Sequence, residues 1–242
     1  MFSIFRPFIF SLDPETAHDL AINSLKLNVL PKNIFQIENE ELLETNLFNI
    51  KLPNPIGLAA GFDKSAEVYN SLFKLGYGFV EIGTVTPKRQ LGNPKPRIFR
   101  LEKDQALINR LGFNNHGSEI VSKRIAENLP NGFLGINVGP NKDTKKKEED
   151  YYLCLSRLAS HAGYLTINIS SPNTEGLRNF HDKNELDKLL NGINKIKEEK
   201  NITKPIALKI SPDINNPEIS NIIELIIKHN IDGIIVSNTT DS

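Results

Sequence analysis

Thr166-Ile167-Asn168-Ile169-Ser170-Ser171-Pro172-Asn173-Thr174 is the stretch on which the reading of the chain turns. The apolar run from Tyr164 to Ile169 has the length and β-branched content of a strand buried in a parallel sheet. It stops abruptly in small hydroxyls, a proline and an amide. At the carboxyl end of a barrel strand such a cluster forms a reactive centre. The other reading is a loop whose Ser and Asn side chains cap their own backbone.

Five further runs share the first run's character: Ile56–Ala60, Phe79–Gly83, Leu134–Val138, Ile206–Ile210 and Gly233–Ser237. Amphipathic helical patterns lie between them, near 65–75, 115–128, 148–161, 184–199 and 217–229. Short β-branched strands alternating with helices predict a parallel sheet with crossover helices. The segment 84–113 is too long for a simple connection, and Arg97–Leu101 with Ala106–Asn109 can pair as a small hairpin. Lys32 to Glu44 reads as a polar connection, and Asp143–Asp150 as a solvated helix start.

At 242 residues and 39% hydrophobic, the chain can bury one large core of the size usual for an α/β barrel. Twenty-nine basic and 29 acidic residues leave no net charge to draw in nucleic acid. The single Cys154 forms no internal disulfide, and its apolar surroundings make it packing rather than a nucleophile. The histidines are scattered without metal-ligand spacing, so no metal site is expected.

Residues 1–30 differ from the rest. Phe2, Ile4, Phe5, Phe8, Ile9 and Phe10 crowd together, then Asp13-Pro14-Glu15 opens a second helix with Asp13 as N-cap. No run reaches the ~20 apolar residues of a spanning helix. The two helices either lie in a membrane interface or pack on the barrel.

The strand ends carry the chemistry. They offer Ala59 to Lys64, Gly83-Thr84, Asn137 to Gly139, Asn168 with Ser171, Lys209, and Ser237 to Thr240. In a parallel barrel these converge on one mouth. Any one is an ordinary helix cap, whereas six together are hard to assign to capping. Two lysines among neutral amides suit a flat, heteroatom-rich anionic ligand, such as a flavin with a small carboxylated heterocycle. Gly61 would let backbone approach a ring closely. No Gly-x-Gly-x-x-Gly follows a strand, which disfavours a Rossmann site.

Five segments in this order resemble the dihydroorotate dehydrogenases of the membrane-associated, quinone-using class 2. They are Asn54 to Lys64, Glu81 to Pro87, Asn109 to Asn115, Asn168 to Asn173 and Ser237 to Thr240. The resemblance implies a (β/α)8 TIM-type barrel, here incomplete with about six βα units. Residues 1–38 would be a helical membrane and quinone extension, and 39–242 a partial FMN-binding barrel. The implied reaction is FMN-dependent oxidation of (S)-dihydroorotate to orotate in pyrimidine synthesis, with electrons passed to a membrane quinone. Ala60, Gly61, Phe62, Asp63, Lys64, Thr84, Asn137, Asn168, Lys209 and Ser237 would contact FMN. Lys64, Asn109, Arg110, Leu111, Gly112, Phe113, Asn168, Asn173, Asn238 and Thr239 would hold the dihydropyrimidine. Ser171 would remove the C5 proton, where the soluble class carries cysteine. His18 and Arg100 are candidate polar contacts in a quinone tunnel.

The implied protein is a monomer on the cytoplasmic side of the inner membrane, held peripherally. The family continues for two more βα units that bind the FMN phosphate, so the resemblance also implies a chain cut short. The alternatives are another flavin barrel acting on a dihydropyrimidine, or a non-catalytic fragment.

Overall fold

The computed structural model describes residues 2–27, 40–174 and 176–240. Two helices come first, α1 (Phe2–Ser11) and α2 (Pro14–Lys26). Asp13 caps α2: its Oδ1 accepts the backbone N–H groups of Glu15 and Thr16, both at 3.0 Å, with Pro14 in the first turn. Part of the expected polar connection, residues 32–39, lies outside the described residues. Its end is a 3-10 turn, Glu40–Leu43, leading into a hairpin that the sequence reading omitted, β1 (Thr45–Leu47) with β2 (Ile50–Leu52).

The βα units follow in chain order. They are β3 (Gly57–Leu58), α3 (Tyr69–Lys74), β4 (Phe79–Val85), α4 (Ser118–Glu127), β5 (Phe133–Val138), α5 (Lys147–Leu158), β6 (Tyr164–Asn168), α6 (Lys183–Glu199), β7 (Ile206–Lys209), α7 (Asn216–Lys228) and β8 (Gly233–Ile235). All six strands pair in parallel with their sequence neighbours, β3-β4-β5-β6-β7-β8, as consecutive units of a TIM-type barrel do. The expected hairpin interrupts the second unit as β9 (Ile98–Leu101) and β10 (Ala106–Asn109).

Alternation along the strands divides the sheet into two faces. Val80, Ile82, Leu134, Ile136, Leu165, Ile167 and Leu208 are fully buried in the core with helix residues such as Val121, Ile125, Leu155, Leu158, Leu189 and Ile193. Each such side chain contributes ~1.5–3 kcal/mol by leaving water. Cys154 belongs to this layer, and burial pushes its thiol well up, which fits packing. The intervening residues Glu81, Asn137, Thr166, Asn168 and Lys209 occupy the other face.

One expectation needs correcting. The run 143–150 is not all solvated: Asp150 is buried, and its carboxylate accepts the N–H of Asn141 at 2.7 Å, closing the turn before α5.

The helical cover is fastened to the barrel by charge. Arg97 is buried and forks onto Glu15 of α2, Nε to Oε2 at 3.1 Å and a terminal nitrogen to Oε1 at 2.5 Å. Arg100 donates to the carbonyls of Phe10 (3.3 Å) and Leu12 (2.7 Å), and its guanidinium lies 4.8 Å from the Phe10 ring centroid.

Candidate active site

A cavity of about 220 Å³ opens where the strands end. Its walls are Ala60, Gly61 and Lys64 after β3, Gly83 and Thr84 in β4, and Asn109, Leu111, Gly112, Phe113 and Asn114 from the end of β10 onward. Asn168, Ser171 and Asn173 come at and after the end of β6, Lys209 ends β7, and Asn238 and Thr239 lie beyond β8. Segments far apart in sequence therefore meet as one chemical surface. Gly83, named above as a strand end, and Asn114, inside the matched segment Asn109 to Asn115, also line it, although neither had been assigned a ligand contact.

A bulge in β4 shapes the floor. Register with β5 shifts between Ile82 and Val85, where Gly83 takes φ +111°. A Cβ there would lie 2.4 Å from the carbonyl oxygen of Asn137, so only glycine fits. β3 ends at Leu58, paired with Val80 before the bulge. The chain after Leu58 swings over to it, with Gly61 N–H donating to Gly83 O (2.8 Å) and Gly83 N–H to Asp63 O (3.0 Å).

Five of the implied residues do not line the cavity. The Asp63 carboxylate turns inward and accepts the backbone N–H groups of Ser65, Glu67 and Val68, holding the loop that carries Lys64. Phe62 faces the helical cover, with its ring edge-on to His18 at 5.1 Å. The Arg110 guanidinium is exposed, donates to Pro96 O and sits over Phe99. Ser237 is half-buried and bonds the Asn238 carbonyl at 3.1 Å. Asn137 is fully buried behind Thr84.

Behind the floor runs a hydrogen-bonded chain. Glu81 Oε2 accepts from the Tyr164 phenol (2.9 Å) and the Thr166 hydroxyl (2.8 Å), and Oε1 accepts from Asn137 Nδ2 (2.9 Å). Asn137 Oδ1 accepts from Thr84 Oγ1 (2.7 Å), which itself accepts from Asn168 Nδ2 (3.0 Å). Asn168 Oδ1 closes the series by accepting from the N–H (3.1 Å) and hydroxyl (2.6 Å) of Ser170. Burial and the Glu81 charge both push the Tyr164 phenol up, so it remains a donor.

Two ammonium groups dominate the electrostatics. Lys209 is buried and Lys64 lines the same cavity, and neither has an ion-pair partner among the described residues. Burial holds the Lys64 amine below its ordinary value. A Cβ on Gly61 would meet no protein atom within 4 Å, so the backbone borders open space. Unpaired cations, neutral amides and a bare backbone edge fit a planar, carbonyl-rich anionic ligand such as a flavin ring. Ser171 is buried, and its Oγ accepts the Asn173 N–H at 3.2 Å.

A second cavity, about 230 Å³, lies between α2 and the barrel mouth and shares Lys64, Leu111 and Asn114 with the first. His18 lines it, and burial followed by the Lys64 charge pulls its imidazole below the ordinary value. Arg100 does not line it.

Comparison with known proteins gives a consistent result. A family model described as dihydroorotate dehydrogenase matches residues 42–242. A protein of Bartonella tribocorum named dihydroorotate dehydrogenase (quinone) is 48% identical over 239 residues, covering 97% of this chain and 66% of the relative. One of Nitrosospira multiformis with the same name is 42% identical over 246 residues, covering 99% and 70%. The crystal structure of DHODH from Eimeria tenella in complex with ferulenol superposes with a TM-score of 0.88 at 38% identity, covering 95% of this chain and 68% of that one. The chain spans about two thirds of the length of the curated relatives it matches.

Proposed function

The chain belongs to the dihydroorotate dehydrogenase family, and on that premise we propose that its cavity oxidises (S)-dihydroorotate to orotate with FMN as cofactor and a membrane quinone as final acceptor. The observation that carries the proposal is the meeting of Lys64, Lys209 and Ser171 around one cavity walled by asparagine amides.

Ala60, Gly61, Lys64, Thr84, Asn168 and Lys209 would hold the flavin ring. Bound there, FMN supplies the acceptor for the hydride that leaves C6 of the substrate. Lys64 pairs with the substrate carboxylate, while Asn109, Asn168, Asn173 and Asn238 bond the amide edge of its ring. Arg110 contributes through backbone, its N–H donating to Arg97 O at 2.9 Å. Leu111 to Phe113 and Thr239 close the remaining walls. Ser171 Oγ takes the C5 proton. A serine hydroxyl is a weak base, so its own proton must move on as the new one arrives. No carboxylate or imidazole among the described residues bonds it, and buried Thr174 in the same loop, or a water beside it, is the relay.

The helical cover belongs to the acceptor side. The second cavity reaches Lys64 from beneath α2, and although most of its lining is polar, Ile22, Phe62, Leu91, Ile98 and Leu111 give it an apolar side along which a quinone would approach the barrel mouth. No helix among the described residues is long and apolar enough to cross a membrane. A peripheral attachment through residues 1–38, on the cytoplasmic side of the inner membrane and as a monomer, follows from this reading.

The test is a spectrum. The purified chain supplied with FMN should be yellow after desalting, bleach with dihydroorotate and regain colour with a short-chain quinone. A colourless protein, or a yellow one that dihydroorotate leaves unchanged, would refute the proposal for this chain.

A further inference from the structure

We propose that Glu81 is a positioning residue: by holding Asn137 in one orientation it fixes the hydrogen-bond polarity that Thr84 and Asn168 show to the cavity, and so selects a ring with adjacent C=O and N–H groups. The inference deepens the reading above and rests on it for the identity of the ring.

Glu81 is a buried carboxylate whose three partners are all neutral donors, from Tyr164, Thr166 and Asn137. A carboxylate accepts only, so Asn137 must turn its NH2 toward Glu81 and its Oδ1 toward Thr84. Thr84 must then spend its proton on Asn137 and receive the amide of Asn168. At the far end the backbone N–H of Ser170 holds Asn168 Oδ1 away from the cavity. With both ends fixed, Thr84 keeps a free lone pair for the ligand and Asn168 a free N–H. That alternation matches a cyclic imide or ureide edge, which flavins and dihydropyrimidines share.

Glu81→Gln breaks the order at a defined place. The new amide must accept from Tyr164 and Thr166, because otherwise two buried hydroxyls lose their acceptor. Its NH2 then faces the Asn137 NH2. Asn137 must flip, Thr84 receives two N–H groups, and its proton is driven into the cavity. Adding Asn137→Asp restores the polarity: the amide introduced at position 81 donates to one oxygen of the carboxylate introduced at position 137, and the other oxygen accepts from Thr84.

The experiment titrates apoprotein with FMN by fluorescence quenching, with melting temperature as the control for folding. E81Q should bind at least tenfold more weakly, and E81Q/N137D should return to within about threefold of the unmodified chain. Thr166→Val removes a donor from Glu81 without touching the polarity, so it should lower the melting temperature and keep the affinity. A Thr166→Val loss as large as that of E81Q, or a folded double variant that stays weak, would overturn the proposal. Side-chain amide NMR with labelled asparagine supplies a readout without flavin: the Asn137 NH2 signals should shift in E81Q. An unmodified chain that takes up no FMN would sink the functional reading, while unmoved Asn137 signals would sink this one.

Discussion

Ile167 and Thr166 are adjacent in β6, equally buried, and belong to different problems. Ile167 points among the helices, where any well-fitting apolar group would serve. Thr166 points to the inner face, where its hydroxyl has one partner and one direction. The same contrast recurs at Ile82 beside Glu81 and at Ile136 beside Asn137. The outer face supplies non-directional free energy. The inner face turns that rigidity into fixed donors and acceptors. Single-residue alternation thus lets one strand carry stability and chemistry on separate sets of side chains.

Substitutions on the two faces should therefore separate activity from stability. The largest effect belongs to the rim of the inner face. Ser171→Ala should lower dihydroorotate-dependent flavin bleaching by ~10²–10⁴-fold, as read by stopped-flow absorbance, with at most the small loss of stability that one hydrogen bond to the Asn173 N–H implies. On the outer face the order reverses. Ile167→Ala should cost ~2–5 kcal/mol in urea unfolding through the cavity it leaves, with flavin affinity retained in the folded fraction. Thr166→Val, its neighbour, should cost less, ~1–3 kcal/mol, because it removes one hydrogen bond and little volume. A Thr166→Val loss larger than that of Ile167→Ala would mean that the packing layer is not what carries the stability.

The outer face was the legible one. Runs such as Leu134–Val138 announce strands by β-branched content, and Asp13-Pro14 announces α2 by its cap, and both lie where the pattern puts them. The β1–β2 hairpin escaped because its two-residue turn is Phe48-Asn49. Both residues have positive φ (51° and 62°), and a phenylalanine in that position hides the usual Asn-Gly signal. On the inner face, strand ends showed which segments converge but not which side chains turn inward. Asp63 looked like a ligand contact, yet it lies two residues before Ser65 and four before Glu67, where a carboxylate can gather the N–H groups of its own loop. Arg110 looked similar, but a long side chain beside an exposed hairpin finds Pro96 O and Phe99 first. Glu81 was readable in principle. A lone acid between Val80 and Ile82 places a charge on the face opposite the core.

A second buried carboxylate sharpens the comparison and carries the smallest prediction. Glu15 resembles Glu81 in burial, but its partners are cations, Arg97 and, at 3.4 Å, Lys95. The Arg97 hydrogen bonds hold Glu15 below its ordinary 4.5, outweighing the opposing effect of burial. A carboxyl whose folded value is depressed contributes stability above its unfolded value and loses it as pH falls through the folded one. The docking of α2 should therefore weaken on acidification below 4.5, and Glu15→Gln should remove that part of the pH dependence. The loss at neutral pH should be modest, because Arg97 keeps the carbonyls of Leu91 (2.6 Å) and Asn93 (2.8 Å). Urea midpoints at neutral and acid pH for both proteins give the measurement. Parallel acid losses in the two would mean that Glu15 is not the titrating clasp. Glu81 has no ion-pair partner among the described residues, so a carboxylate can be kept buried either by an opposite charge, which ties a helix down in a pH-dependent way, or by neutral donors, which set direction.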